Sequence, residues 1–179
     1  MAGTLVVQTL QGPTSGANAN KVIIPSGQTL DIDAWTPPAG TVLQVVQDSS
    51  TTTFTQASSN YAANGLSATI TPSSTSNKIL ILVSGAMYMQ NANHHVIATV
   101  FRGGVSSGTD LNTASSNYGM SEVYSSGGAI IANASISYLD SPATDVAVTY
   151  EVGVKVTNGG GVFPVNNGLC SITLMEIAG

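Results

Sequence analysis

VAVTYEVGVKV, residues 146–156, alternates residue by residue: Val146, Val148, Tyr150, Val152, Val154 and Val156 against Ala147, Thr149, Glu151, Gly153 and Lys155. A strand turns successive side chains to opposite faces, so this period of two describes a half-buried antiparallel strand. Glu151 and Lys155 mark its second face as the one turned to solvent. AIIANASISYL, residues 129–139, repeats the pattern, with Ile130, Ala132, Ala134, Ile136 and Tyr138 sharing a face. ILILV, residues 79–83, is apolar without interruption and reads as a central strand covered on both faces. Residues 42–46, 66–71, 96–101 and 171–177 are further strand candidates. Turn chemistry separates the runs at Asn64-Gly65, Gly103-Gly104, Gly127-Gly128, Asn158-Gly159 and Asn167-Gly168. No window places apolar residues at helical spacing behind a cap, so little or no helix is expected. Seven or eight short strands with frequent turns predict an all-β chain, an antiparallel β-sandwich of jelly-roll type over residues 41–179.

Residues 1–40 read differently. Leu5–Leu10, Val22–Ile24 and Leu30–Ile32 are short apolar runs split by GPTSGANAN and PSG, and they end in the stiff Trp35-Thr36-Pro37-Pro38 hinge. Strands this short bury no core alone. Two arrangements satisfy them: pairing between copies of the chain, with Val22, Ile24, Leu30 and Trp35 as the attachment contacts, or an extra strand pair added to the sandwich.

Composition narrows the function. Charged residues are 7% of the chain, against about 25% in an average soluble protein. The hydrophobic share is 42%, so low charge does not signify disorder. A surface rich in Ser, Thr, Asn and Gln hydrates well yet offers little like-charge repulsion, which suits a protein that associates with its own copies. The net charge is −5, and the four cations Lys21, Lys78, Arg102 and Lys155 are scattered. Neither nucleic acid nor an anionic membrane surface has a basic stripe to bind. No stretch has the length of a membrane-spanning helix, and MAGTLVVQTLQG (1–12) has no signal-peptide pattern, so synthesis in the cytoplasm is expected. The single cysteine, Cys170, forms no intrachain disulfide and reads as a small buried hydrophobe.

Four stretches taken in order carry a resemblance. LSATITPSSTSNKILILVSG (66–85), HHVIATVFRGG (94–104), ISYLDSPATDVAVTYEV (136–152) and VNNGLCSITLMEIAG (165–179) together resemble the C-terminal domain of tailed-phage fibre proteins of the marine and cyanobacterial type. NKVIIPSGQTLDI (20–32) is similar to the β-rich segments upstream in such fibres. The 105–126 region lies outside the resemblance. The resemblance implies a virion-surface structural protein made in a bacterial host, threefold symmetry, and other phage proteins of tail or capsid as partners. It implies a short fibre or spike for host adhesion; a capsid decoration protein is the alternative. Such fibres are often longer, with a tail-anchoring module that this sequence does not display.

No residue pattern predicts catalysis, a cofactor or a metal site. His94 and His95 are adjacent and point to opposite strand faces, so one chain cannot chelate a metal with both. Asp31 and Asp33 have no third carboxylate near in sequence. Asp140, in LDSPAT, reads as a turn organiser; Asp110, Glu122 and Asp145 are isolated. Arg102 ends a strand, either pairing with an acid or solvated. Asn133-Ala-Ser135 fits a glycosylation sequon by chance. A non-catalytic carbohydrate-binding module, the third reading, needs an aromatic platform, and the only tryptophan, Trp35, sits in the hinge. The residues most suited to contact a host glycan, receptor or neighbouring capsomer are Tyr118, Met120 and Tyr124 in the 105–128 stretch, with Tyr88 and His94 beside the QNANHH loop. Tyrosine among Ser, Gly and Asn combines a stiff aromatic surface with adaptable hydrogen bonding.

Overall fold

The computed structural model describes residues 11–29, 36–113 and 118–179. The chain divides into two compact units, 1–36 and 37–179.

The described part of the first unit is a succession of turns, held by Asn20 N–H to the Pro13 carbonyl (2.7 Å) and Gln28 N–H to the Pro25 carbonyl (3.1 Å). In the single chain Val22–Ile24 is irregular, and Val22, Ile23 and Ile24 are exposed. Among the described residues these three have no ladder partner. The runs at Leu5–Leu10 and Leu30–Ile32, and Trp35, lie outside the described residues.

The second unit is all β. Its strands are β1 (Val42–Ser50), β2 (Thr55–Gln56), β3 (Ala62–Ile70), β4 (Lys78–Met89), β5 (His94–Arg102), β6 (Thr109–Asp110), β7 (Ser121–Ser125), β8 (Ile130–Asp140), β9 (Val148–Val156), β10 (Gly161–Val162) and β11 (Cys170–Ile177). The long strands pair antiparallel in nested fashion: β1 with β11, β3 with β9, β4 with β8, β5 with β7. Two further pairings, β11 with β4 and β9 with β5, join these hairpin arms into sheets. The first sheet runs β1-β11-β4-β8 and the second β3-β9-β5-β7, the order of a ribbon folded back on itself as a jelly roll. The two-residue strands add short pairings, β10 with β4 and β2, and β6 with β5.

The core lies between the sheets. From the first come Ile79, Ile81, Val83, Met87, Ile136, Ile172 and Leu174; from the second Leu66, Ile70, Val96, Val100, Tyr150, Val152 and Val154, all buried. The alternation in residues 146–156 and 129–139 points the faces as expected, with Val146, ahead of β9, left exposed.

Four expectations are corrected. Asn64-Gly65 is no turn but a bulge inside β3, where the register to β9 shifts between Ala63 and Ser67. Gly65 supplies the left-handed backbone (φ +83°), and the Asn64 side-chain oxygen accepts from Leu66 N–H. The apolar run 79–83 is central in its sheet but covered on one face only; Leu80 and Leu82 point outward and are half-buried. Asp140 does not organise the following turn. It ends β8 buried, where Arg102 donates to both its oxygens (3.1 and 3.0 Å) and the Tyr150 hydroxyl donates to Oδ2 (2.7 Å). This network ties β8 of the first sheet to β5 and β9 of the second, and burial followed by the bond to Asp140 pushes the Tyr150 phenol far above its usual range. Finally, the Glu151/Lys155 face of β9 is partly covered. Glu151 accepts from Val105 N–H (2.8 Å), Lys155 Nζ lies 4.4 Å from the Tyr61 ring centroid, and Gly153 between them leaves room for the Phe101 ring.

Glu176 drew no notice in the sequence, yet it is 1% exposed. It accepts from Ser73 N–H (2.6 Å), Ser73 Oγ (2.8 Å), Asn77 Nδ2 (2.6 Å) and Gln44 Nε2 (2.6 Å). Burial alone would raise its pKa. The hydrogen bonds from Asn77, Gln44 and Ser73 outweigh burial and hold the carboxyl below its ordinary value.

Candidate interaction surfaces

The outer face of the first sheet is built by register. Val45, Met175, Leu80 and Leu139 stand opposite one another across β1, β11, β4 and β8, and form an apolar row. The next row is Gln47, Thr173, Leu82 and Ser137; the one after is Ser49, Ser171, Ser84 and Ser135. Within the rows Gln47 Nε2 donates to Thr173 Oγ1 (2.9 Å), and the hydroxyls of Ser84 and Ser171 lie 3.1 Å apart. Beyond them Ala86 faces Asn133 and Tyr88 faces Ile131. Val45 is 56% exposed, Leu139 48% and Ile131 57%.

Three open depressions run along this face. One of 410 Å³ lies over Leu82 and the serine row. One of 570 Å³ lies between Ala86, Asn133 and the exposed Leu169. The third, 310 Å³, is lined by Thr53, Tyr88, Ile131, Val162, Val165 and Asn166. Among the outward positions of β1, β4, β8 and β11, Lys78 alone carries charge, and no carboxylate stands on the face. The described acids lie elsewhere: Asp110, Glu122 and Glu151 on the second sheet, Asp140 and Glu176 buried, Asp145 in a turn, and Asp48 on the free-edge strand β1 at a position paired with the inward Ile172.

The second sheet carries outward apolar residues too, but they are covered. Ile97 is 1% exposed, Thr99 0% and Phe101 7%. Tyr61 meets Phe101 edge to face (centroids 5.3 Å apart), Thr99 Oγ1 donates to Asp110 (2.9 Å), and Gly119 lies against Ala98 and Ile97. Burial, with the nearby charges of Asp110 and Glu122, raises the Tyr61 phenol well above its usual range.

At the β5–β7 edge a second constellation forms. His95 stands opposite Tyr124 in the ladder, with ring centroids 4.6 Å apart; the Tyr118 ring lies 6.2 Å from His95 on another side. Tyr118 and Tyr124 are 54% and 46% exposed. Glu122 Oε2 is 3.6 Å from His95 Nδ1, within ion-pair range but too long for a hydrogen bond, so this buried nitrogen has no hydrogen-bond partner. The Tyr124 hydroxyl donates to Asn93 Oδ1 (3.3 Å), and Asn112 Nδ2 to the Tyr118 carbonyl.

The residues proposed from sequence therefore separate. Tyr118 and Tyr124 come together, joined by His95 rather than His94. His94 lies on the other face, its Nδ1 3.5 Å from Thr157 Oγ1. Met120 is partly buried against the core, and Tyr88 belongs to the first-sheet face. Val22 and Ile24 are exposed in the first unit, while Leu30 and Trp35 lie outside the described residues. His95, Glu122 and Asn93 were missed because only cross-strand register brings them to the tyrosines. The apolar row carried a legible signal: Leu80 and Leu139 are out of phase with the inward residues of their own strands. Among the described residues no group of three or more His, Cys, Asp or Glu could hold a metal ion, and no helix is long and apolar enough to cross a membrane.

No protein-family model matches the chain, and no curated protein matches it. Among solved structures it is similar to that of infectious bursal disease virus, Gx strain, at 12% identity and a TM-score of 0.41 over 87% of this chain and 42% of that one. It is likewise similar to a mutant VP2 protein of infectious bursal disease virus from derived T=1 particles, at 10% identity and a TM-score of 0.41 over 93% of this chain and 44% of that one. The chain spans less than half the length of either.

Proposed function

We propose that this chain is a non-catalytic structural protein of a bacteriophage particle, a short fibre or spike displayed on the virion surface for host adhesion, whose jelly rolls associate as a trimer. The observation that carries the reading is the carboxylate-free outer face of the first sheet, whose one charge is Lys78. In a chain of net charge −5, two copies repel each other unless they meet where carboxylates are missing. That face is where they are missing, and it combines apolar rows with serine and threonine that hydrogen-bond without net charge. Exposed apolar residues gathered on one face and rimmed by polar ones are a mark of association surfaces. The partner that fits this face is therefore a second copy of the chain. The resemblance to phage fibre C-terminal domains supports the setting, and the four resembling stretches overlap β3–β4, β5, β8–β9 and β11, six of the eight long strands. Decoration of a capsid uses the same self-association and differs in copy number and in what the protein sits on.

Sedimentation of the full chain at micromolar concentration is expected to show a trimer, and Leu139→Asp, which places a carboxylate on the face, is expected to shift it to monomer. A wild-type monomer would refute the reading. Locating the protein in an electron-microscopy map of the particle separates fibre from decoration: a few copies projecting from the tail support the first, many copies clamped on the shell the second.

A further inference from the structure

We infer that the β5–β7 edge carries a binding site for a neutral sugar, with Tyr118, His95 and Tyr124 as its platform. The inference rests on the adhesive half of the reading above and names the chemistry of what is bound. Two observations carry it. First, two tyrosine rings about half exposed flank one histidine ring: Tyr124 lies against His95 with centroids 4.6 Å apart and planes tilted by 38°, and Tyr118 stands edge-on to it at 6.2 Å and 69°. Leaving tyrosine rings in water costs apolar burial unless something covers them, and the C–H face of a pyranose is a flat apolar surface of ring size. Second, polar groups stand at the rim: the Glu122 carboxylate 3.6 Å from His95 Nδ1, and the Asn93 amide beside the Tyr124 hydroxyl. A sugar that stacks on the rings directs its equatorial hydroxyls outward, where a carboxylate and an amide accept and donate. A few placed polar groups around an apolar floor is the general form of a small-ligand site. Asn93 is fixed for this role by its left-handed backbone (φ +62°) and by its N–H bond to the Ser125 carbonyl.

An aromatic cage for a quaternary ammonium group would need rings standing apart around a gap. Here the His95 ring fills the space against Tyr124, so no such gap stands between them. Carbohydrate binding needs an aromatic surface, and here cross-strand register supplies one without tryptophan by setting His95 beside Tyr124.

Saturation-transfer NMR on the purified full chain tests the inference, with a panel of methyl hexopyranosides and N-acetylhexosamines as probes and choline as the cationic counterpart. Transfer to the C–H protons of one ring face of at least one sugar is expected. Tyr124→Ala and Tyr118→Ala should each weaken the affinity about tenfold, while Tyr124→Phe, which keeps the ring, retains most of it. Tyr118 lies outside the strands, so Tyr118→Ala keeps the test decisive if Tyr124→Ala fails to fold. No transfer to any sugar, transfer unchanged in both alanine variants, or transfer to choline alone would each overturn the site. Leu139→Asp provides the separation: sugar transfer that survives in a monomeric variant shows two independent surfaces, and a trimer that binds no sugar leaves the structural reading standing while this site falls.

Discussion

The two outer faces of this sandwich begin from the same pattern and end differently. Both sheets carry apolar residues at positions that alternation turns away from the core. On the second sheet Ile97 and Phe101 are covered by the protein's own Tyr61 and by the chain around Gly119, and they are as buried as the core itself. On the first sheet Val45, Leu80 and Leu139 have no such cover among the described residues and remain in part exposed. An outward apolar residue therefore has two physical fates, intramolecular cover or an intermolecular surface, and the charges follow the same division. Acids and the paired Lys155 gather on the covered side, and the bare side carries only Lys78.

The largest effect that would break this comparison comes from the covered face. Phe101→Ala removes a buried ring and should cost about 3–5 kcal/mol of unfolding free energy, read from the denaturant midpoint; a loss under about 1 kcal/mol would mean that the cover is not packed. Next comes acid. Glu176 has a folded pKa below its ordinary value of 4.5, so its contribution is present above that value and is lost as pH falls through the lower, folded one. The melting temperature should drop through that acidic window, and Glu176→Gln should flatten the drop; an unchanged profile in the variant would place the acid sensitivity elsewhere. The smallest effect belongs to the bare face. Leu80→Ser should change the stability of the isolated subunit by no more than about 1 kcal/mol while weakening self-association in sedimentation. If it destabilised the subunit as much as Phe101→Ala, the two faces would be equivalent and the contrast would fail.

Much of the fold was legible because alternation is a local property. The patterns in 146–156 and 129–139 name the inward residues of β9 and β8, since each strand reports its own two faces. The Asn64-Gly65 pair misled because glycine in the left-handed region serves a bulge as readily as a turn, and only the ladder to β9 distinguishes them. Arg102 and Asp140 stand 38 residues apart, and no spacing rule links them; the nested pairing of β4 with β8 and the further pairing of β5 with β9 bring them to one end of the core. The aromatic site was half legible. Tyrosines among small polar residues suggested recognition, but the choice of His95 over His94 depends on which strand face the chain then covers.

By itself the sequence determined that this chain is a β protein, which faces of its longest strands turn inward, and that its surface is poor in charge. These follow from side-chain order along the backbone, where each residue's neighbours are already known. Tertiary structure alone decided the strand order, the buried carboxylates Asp140 and Glu176, the cover over one sheet and the bare face of the other. Those depend on contacts between residues far apart in the chain, and the same alternation is compatible with either outcome until the ribbon has folded.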